Sequence, residues 1–158
     1  MATMKEAVDD FLAQQRIAVT GVSRSGSQPA NSIFHKLRDA GIQVFPTNPQ
    51  TDEVEGVPCY PNLKAIPGGV DAVMIATPPA AADEIVRECA ELGIKRVWMH
   101  QSIDGGSYSA SAEAFCHENG ITVIPAGCPM MYCNPVDFGH KCMRWIFSLT
   151  GKIPKTVA

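Results

Sequence analysis

Two hydrophobic patterns alternate along this chain. Short runs of branched and small apolar residues, typical of buried parallel strands, are followed by segments with apolar residues every three or four positions, typical of amphipathic helices. The first pattern predicts five strands, at about 16–21, 42–45, 71–76, 96–99 and 122–124. The second predicts helices from Pro29 to about residue 40, across 82–92 and at about 109–119.

The junctions between these elements predict the fold. Three times a predicted helix ends in glycine followed by isoleucine and a strand, at Gly41-Ile42, Gly93-Ile94 and Gly120-Ile121. Strands that alternate with helices through short loops indicate a parallel sheet with right-handed crossovers. We therefore expect an α/β chain: a three-layer α/β/α Rossmann-like domain with a five-stranded parallel sheet and extra N- and C-terminal helices. We expect one domain, residues 1–158, with a core at about 14–135.

The segments outside this pattern receive separate predictions. Thr3 and Glu6 have the spacing of a capping box for an N-terminal helix at about 3–14. Asn134 as N-cap and Pro135 in the first turn predict a C-terminal helix at about 135–150. We expect its apolar face to dock on the body of the protein or on a second subunit. That face comprises Phe138, Cys142, Trp145, Ile146 and Leu149. The crossover at 50–70 is expected to be irregular, and the last eight residues to form a loose tail.

Composition narrows the class of protein. The net charge of −3 argues against a nucleic-acid-binding protein that relies on long-range attraction. No apolar run is long enough to span a bilayer, and the N-terminus lacks the apolar core of a signal peptide. We therefore expect no membrane contact and a cytoplasmic location. The six cysteines are then expected to be free thiols.

The first predicted strand runs into a glycine turn, Gly21-Val22-Ser23-Arg24-Ser25-Gly26. Such a turn places backbone N–H groups at the start of a helix, where they suit a phosphate group. Serine hydroxyls and the Arg24 guanidinium add further donors. The turn lacks the G-x-G-x-x-G pattern of dinucleotide sites and the Lys-Ser/Thr pair of a Walker loop. We expect a phosphate-bearing ligand held by a variant loop.

Three other strand ends should meet this loop, because ligands of open parallel sheets bind beyond the carboxyl ends of the strands. They are Thr47–Pro49, Thr77–Pro79 and His100–Ser102. A site for NAD expects Asp or Glu after the second strand, to hold a ribose hydroxyl. Here no carboxylate occurs before Asp52. This favours an adenine nucleotide other than NAD, with Asn48 able to bond an adenine or ribose edge.

Several motifs, taken in order, resemble one family. These motifs are Ile17-Ala-Val-Thr-Gly-Val-Ser-Arg24, Val44-Phe-Pro-Thr-Asn-Pro49, Gly56-Val-Pro-Cys-Tyr60, Val70-Asp-Ala-Val73, Leu92-Gly-Ile-Lys-Arg-Val-Trp98, Gly120-Ile-Thr-Val-Ile124 and Cys128. With them, the chain resembles the small CoA-binding proteins that are similar to the N-terminal nucleotide-binding domain of the succinyl-CoA synthetase α subunit. The resemblance covers about residues 8–135.

The resemblance implies roles for particular residues. Residues 21–26 would hold the CoA diphosphate, and Asn48 and Pro49 would border the adenosine part. Thr77, Pro78, Pro79 and His100 would line the path of the pantetheine. Of the Arg-x-Ser usual at the start of the family's first helix, this chain keeps only Ser32.

Two further departures concern positions near the ligand. Gln50-Thr51 stands where the synthetase has a lysine, and His100 stands where the small proteins have glutamine. The synthetase's phosphorylated histidine lies in a second domain that this chain lacks, so ligase activity is not expected.

Other constellations are less specific. Cys128, Cys133, His140 and Cys142 do not have a usual zinc spacing, so we expect no metal site. A mixed disulfide between CoA and Cys128 or Cys133 is a minor alternative. His100 has no evident carboxylate partner beyond Asp104, so a lining role is favoured over general-base catalysis.

The favoured hypothesis is a cytoplasmic protein that binds CoA or acyl-CoA without catalysis of its own. The alternative is a nicotinamide-dependent oxidoreductase or a redox sensor on the same fold. A third interpretation is an interaction module that works through its last helix. Under each of these interpretations, the last helix is the candidate contact for a homodimer or a partner protein.

Overall fold

The computed structural model of the protein describes residues 1–103 and 105–157. Within them a five-stranded parallel sheet forms the centre of the molecule. Its strands are β1 (Arg16–Thr20), β2 (Gln43–Thr47), β3 (Ala72–Ile75), β4 (Arg96–Met99) and β5 (Thr122–Ile124). Their order across the sheet is β5-β4-β3-β1-β2. The predicted α/β class and five-stranded parallel sheet are confirmed.

Helices cover both faces of the sheet. They are α1 (Met4–Leu12), α2 (Pro29–Asp39), α3 (Pro79–Glu91), α4 (Ala110–Glu118) and α5 (Phe138–Leu149). One apolar cluster joins α1 and α2 to the sheet, and a second joins α3 and α4 to its other face. Since successive strand residues point to opposite faces, Ile17 and Val19 lie in the first cluster and Ala18 in the second.

The order of the strands determines where a ligand can sit. β2 lies on one side of β1, and the chain then crosses to β3 on the other side of β1. β4 and β5 follow on the same side as β3. The loops that leave β1 and β3 therefore diverge, and they open a crevice at the carboxyl ends of these two strands.

The two ends of the chain pair with each other. Ala2–Thr3 forms an antiparallel pair with Thr156–Val157, and both Ile153 and Val157 are buried. The prediction of a loose tail is therefore wrong, because backbone pairing and apolar burial hold it. The predicted capping box is confirmed, since Thr3 Oγ1 accepts from the Glu6 N–H and the Glu6 carboxylate accepts from the Thr3 N–H.

The C-terminal helix differs from its prediction in two respects. It begins at Phe138, because the Asp137 carboxylate caps it by accepting from the His140 backbone N–H at 3.0 Å; the predicted start at Pro135 is wrong. In addition, its apolar face does not dock on the body of this chain. Phe138, Trp145 and Leu149 are 81%, 66% and 68% exposed. Phe147 is the buried residue of this helix.

The irregular second crossover is confirmed in outline. It contains a hairpin of Glu53–Val54 with Val57–Pro58, followed by turns up to β3. A second small hairpin, Gln101–Ser102 with Gly105–Gly106, follows β4. None of the helices that the structure describes combines the length and apolar character needed to cross a bilayer.

Candidate functional site

The glycine turn after β1 packs against the end of β3. Gly21 has φ +82°, and its N–H donates to the Thr47 carbonyl at 3.0 Å. A Cβ at this position would lie 3.0 Å from the Ala76 carbonyl oxygen and 3.2 Å from Thr77 Cγ2. Glycine is required here for both its conformation and its size. The turn thus brings the predicted Gly21 and Thr77 segments together.

A buried asparagine holds the turn that follows. Asn31 is fully buried in the first turn of α2, and its Oδ1 accepts from the Ser23 N–H at 3.0 Å. Its Nδ2 donates to the Ser23 carbonyl at 2.7 Å. Sequence reasoning missed this residue. The sequence does contain a signal for it: the polar Asn31 stands between Ala30 and Ile33, which belong to the apolar, buried face of the helix.

The serines of the loop form a chain of hydroxyl groups. Ser25 Oγ lies 2.9 Å from Ser23 Oγ and 3.0 Å from Ser27 Oγ. The Ser25 N–H donates to Ser23 Oγ at 3.1 Å. Within the part of the chain that the structure describes, the N–H groups of Arg24 and Ser27 make no hydrogen bond. The loop therefore offers hydroxyl and N–H donors to an anion, as the sequence predicts.

Arg24 lies at the edge of an open groove of about 390 Å³, which we call the Arg24 groove. Its guanidinium is exposed and makes no ion pair with any residue among 1–103 and 105–157. Asp52 is the acidic residue of the lining. The full lining comprises Arg24, Pro49, Gln50, Thr51, Asp52, Cys59 and Pro61. A cation is thus available to a phosphate in this groove.

Asn48 connects the groove to the glycine loop. Its Nδ2 donates to the Val22 carbonyl at 3.0 Å, and its Oδ1 accepts from the Gln50 N–H at 2.9 Å. Its backbone N–H donates to the Tyr60 carbonyl at 2.9 Å. These two side-chain bonds leave one Nδ2 proton and one Oδ1 lone pair of Asn48 free. The predicted contact with adenosine would have to use one of them. The contacts that the structure shows for Asn48 position the two loops.

The hairpin after β2 places a carboxylate near the loop. Glu55 Oε2 lies 2.5 Å from His35 Nε2, and Glu55 Oε1 lies 3.7 Å from the position that a Cβ on Gly26 would occupy. Sequence analysis did not place Glu55 near the loop. Because a carboxylate repels phosphate, an anion is better placed at the Arg24 end of the loop than at the Gly26 end.

The Thr77-Pro78-Pro79 segment starts α3 at the other side of the crevice. Thr77 Oγ1 lies 3.4 Å from Thr20 Oγ1, which also accepts from the Ala76 N–H at 3.1 Å. Pro78 is the N-cap residue of α3 and Pro79 its first helical residue. The two prolines are exposed. Thr77 is half-buried at the floor of the crevice, beside Gly21.

A second cavity, which we call the His100 pocket, has a volume of about 260 Å³. Two of its lining residues, Pro29 and Ser32, belong to the first turn of α2, directly after the glycine loop. The other lining residues are His100, Ser102, Cys128, Met130, His140 and Met143. The structure thus brings the predicted residues Ser32 and His100 together in one cavity.

The titratable groups of this pocket are shifted by their surroundings. Burial lowers the pKa of His100 and raises the pKa of the Cys128 thiol to about 11. His140 Nδ1 lies 2.6 Å from Asp137 Oδ2. Hydrogen bonds from the His140 backbone and ring hold the pKa of Asp137 below its usual value. His140 was not predicted to line a ligand site, because helical spacing alone does not place it opposite His100.

Metal binding receives no support from these positions. In the two ranges that the structure describes, no three His, Cys, Asp or Glu side chains are arranged to hold a metal ion. Cys128 and Cys133 are buried free thiols. A thiol with a raised pKa is a poor nucleophile at neutral pH, so the geometry does not favour a mixed disulfide at Cys128.

The comparisons with known proteins agree with this geometry. Residues 15–134 match the family model described as the CoA binding domain. This chain belongs to that family. The CoA-binding domain covers every predicted contact, from the glycine loop to His100. The resemblance to the small CoA-binding proteins is thereby confirmed.

Individual relatives extend the comparison. The chain is 35% identical over 123 residues to the ADP-forming acetate–CoA ligase II of Archaeoglobus fulgidus, which is 73% of this chain and 18% of the ligase. It is 30% identical over 110 residues to the uncharacterized protein YneT of Bacillus subtilis, covering 70% of this chain and 78% of YneT. A hypothetical protein from Pyrococcus horikoshii OT3 superposes with a TM-score of 0.73 at 27% identity, covering 80% of this chain and 86% of that one.

These relatives differ in how much of their length is shared. The chain spans less than a third of each of the acetate–CoA ligases that it matches. It shares with them the CoA-binding domain.

Proposed function

We propose that this protein is a cytoplasmic CoA-binding protein, able to hold CoA or acyl-CoA, without catalysis of its own. The family match supports the ligand class. The part shared with the acetate–CoA ligases is the CoA-binding domain alone, which supports binding as the function.

One observation carries this proposal: the glycine loop and the helical turn directly after it line two different cavities. Arg24, inside the loop, lines the Arg24 groove. Pro29 and Ser32, directly after the loop, line the His100 pocket. A ligand with a diphosphate in its middle and an arm on each side matches this arrangement. CoA has this form, with adenosine on one arm and pantetheine on the other.

The residues along the chain fit each part of CoA. The diphosphate would accept hydrogen bonds from the N–H groups and hydroxyls of residues 23–27. The phosphorylated adenosine would lie along the Arg24 groove, bordered by Asn48 and Pro49. The pantetheine would pass the end of β3 at Thr77–Pro79 and enter the His100 pocket. Arg24 is the cation that we assign to the phosphates, since Gln50 and Thr51 of the same groove are uncharged.

The end of β2 favours CoA over a nicotinamide dinucleotide. β2 ends at Thr47, and the following Asn48 side chain bonds the Val22 carbonyl. A dinucleotide site places a carboxylate near this position to accept from ribose hydroxyls. The oxidoreductase or redox-sensor alternative therefore has no residue at this position to support it.

We further propose that α5 contacts a second copy of this chain. Three large side chains on α5, Phe138, Trp145 and Leu149, are more than half exposed. A single exposed apolar side chain is ordinary, whereas several on one helix indicate a contact surface. Residues 138–158 hold four of the 13 Lys and Arg residues and none of the 16 Asp and Glu residues. Residues 1–137 therefore carry a net negative charge. This charge is opposite in sign to that of residues 138–158 in another copy of the chain.

Isothermal titration calorimetry with the purified protein tests the proposed function. CoA is expected to bind with micromolar affinity, and NADH, at the same concentration, to give no heat and no displacement of CoA. Dephospho-CoA, which lacks the 3′-phosphate, should bind more weakly if Arg24 contacts that phosphate. The absence of heat from both CoA and acetyl-CoA would disprove the proposal, and tight NADH binding would favour the alternative.

A further inference from the structure

The His100 side chain lines the His100 pocket and is 6% exposed. Its ring nitrogens make no hydrogen bond within residues 1–103 and 105–157, and no side-chain nitrogen or oxygen in these ranges is fully enclosed without a partner. Its backbone is fixed, because the His100 N–H donates to Ile75 and its carbonyl accepts from Ser107. The ring is therefore held in place by its backbone and borders the cavity, where a ring nitrogen can form a hydrogen bond with a ligand atom.

The rest of the pocket wall indicates an apolar ligand group. Met130, Met143, Cys128 and Pro29 contribute apolar atoms, and neither Lys nor Arg is part of the lining. The volume of about 260 Å³ equals roughly eight or nine molecular volumes of water at about 30 Å³ each. The end of the pantetheine and a few carbon atoms fill such a space. A long fatty chain does not fit into it.

The protonation state of His100 determines which ligand atoms its ring can form a hydrogen bond with. Because burial lowers the pKa of His100, the ring is neutral near pH 7 and carries one N–H donor and one acceptor nitrogen. A thiol is a weak hydrogen-bonding group, whereas a carbonyl oxygen is a good acceptor. The thiol end of free CoA would therefore bond this N–H only weakly. A thioester supplies the carbonyl.

We propose that the His100 pocket holds the acyl group of a short, uncharged acyl-CoA, with the acyl carbonyl accepting a hydrogen bond from His100. The preferred ligands have two to about four acyl carbons, given roughly eight or nine groups of water size in the pocket. This inference rests on the proposed CoA-binding function and adds a substrate class to it. His140, on α5, also lines the pocket.

Calorimetric titration of the whole protein with CoA, acetyl-CoA, butyryl-CoA, succinyl-CoA and palmitoyl-CoA tests the inference. Butyryl-CoA is expected to bind about tenfold more tightly than CoA, from burial of the acyl chain and the added hydrogen bond. Succinyl-CoA and palmitoyl-CoA should bind no more tightly than CoA, because of charge and length respectively. Equal affinity for CoA and butyryl-CoA overturns the acyl pocket while leaving CoA binding intact. Failure of every CoA compound to bind overturns the proposed function itself.

The variant His100→Phe keeps a ring in the wall and removes its N–H. The ratio of the dissociation constants of CoA and butyryl-CoA should decrease at least about threefold. His117→Phe, at an exposed position on α4, is the matched control and should keep the wild-type ratio. An unchanged ratio in His100→Phe contradicts the role of His100.

A second measurement does not depend on the folding of that variant. In the wild-type protein, the NMR signals of the His100 ring should shift more with butyryl-CoA than with CoA, whereas those of His117 should not shift. Equal shifts of His100 with both ligands would overturn the inference.

Discussion

The Asn31 amide bonds both backbone groups of Ser23, with Oδ1 3.0 Å from the Ser23 nitrogen and Nδ2 2.7 Å from its oxygen. These two hydrogen bonds attach the glycine loop to the helix that follows it. The loop is thereby preorganised before any ligand binds, which reduces the entropy lost on binding.

Asn31→Ala should therefore weaken both the fold and the binding of CoA. The backbone N–H and carbonyl of the half-buried Ser23 lose their partners, which costs about 2–3 kcal/mol of unfolding free energy. Affinity for CoA should decrease by roughly tenfold, as the loop loses its order. Urea unfolding and calorimetry measure the two effects. Asn62→Ala, which removes one exposed bond to the Ala65 N–H, is the control and should change neither by much. Wild-type CoA affinity in folded Asn31→Ala would contradict preorganisation.

Arg24→Ala tests the assigned phosphate contact. Loss of a charge-assisted hydrogen bond should weaken CoA binding by about 1.5–3 kcal/mol, which is roughly 10- to 150-fold. The salt dependence of CoA binding should decrease as well. Arg38→Ala, at the far end of α2, should leave CoA affinity unchanged. If Arg24→Ala binds CoA as tightly as the wild type, Arg24 is not part of the site.

Gly21 and Gly41 have similar backbone conformations but differ in the space that surrounds them. Gly21 and Gly41 have φ of +82° and +89°, but only at Gly21 would a Cβ meet other atoms within 4 Å. Gly41→Ala should cost about 1–2 kcal/mol, from conformation alone. Gly21→Ala should cost about 3 kcal/mol, because the Ala76 carbonyl must also move. Urea unfolding at one pH compares the two variants. Equal losses would mean that the close packing of Gly21 on β3 is unimportant for stability.

Local signals in the sequence were sufficient for the sheet and the loop. Apolar runs and glycine–isoleucine junctions placed the strands, and the Thr3–Glu6 spacing gave the capping box, because these features depend on neighbours in the chain. The contacts that were missed join distant segments. Glu55 reaches the loop because its hairpin folds back onto α2, and Thr156–Val157 is held by pairing with Ala2–Thr3 and by the burial of Val157.

The same reason explains the partial success at the candidate site. The position of His100 at a strand end was predicted, but not the cavity that it lines, which depends on Met130, His140 and Met143 from later in the chain. The start of α5 was misplaced because Asn134-Pro135 and Asp137 both carry capping signals. Only the three-dimensional course of the chain decides between them.

The buried thiols predict a loss of stability at alkaline pH. Burial raises the pKa of Cys128 to about 11 and that of Cys116 to about 12. Above pH 9 the unfolded chain releases these protons first, so the folded state becomes less favourable as the pH rises. Between pH 8 and 10.5, Cys128 should account for about 2 kcal/mol of lost unfolding free energy.

Urea unfolding of Cys128→Ala at pH 8 and 10.5 measures the part of the lost unfolding free energy that is due to Cys128. The variant should lose about 2 kcal/mol less than the wild type on going from pH 8 to 10.5, and the half-buried Cys142→Ala should follow the wild type. Background titration of Lys and Tyr is common to all three proteins and cancels. Parallel pH dependence of Cys128→Ala and the wild type would show that the Cys128 thiol ionises normally in the folded state.

The exposed face of α5 predicts self-association through Trp145. Its indole is 66% exposed between Phe138 and Leu149, and burial of such a ring contributes strongly to interface energy. Sedimentation velocity at about 100 µM should show a dimer that dissociates at high salt, because basic α5 would pack against an acidic surface. Trp145→Ser should be monomeric, whereas Leu92→Ser, at an exposed apolar position on another surface, should remain dimeric. A wild-type protein that stays monomeric at this concentration would exclude a second copy as the partner of α5, and CoA binding would be unaffected by that result.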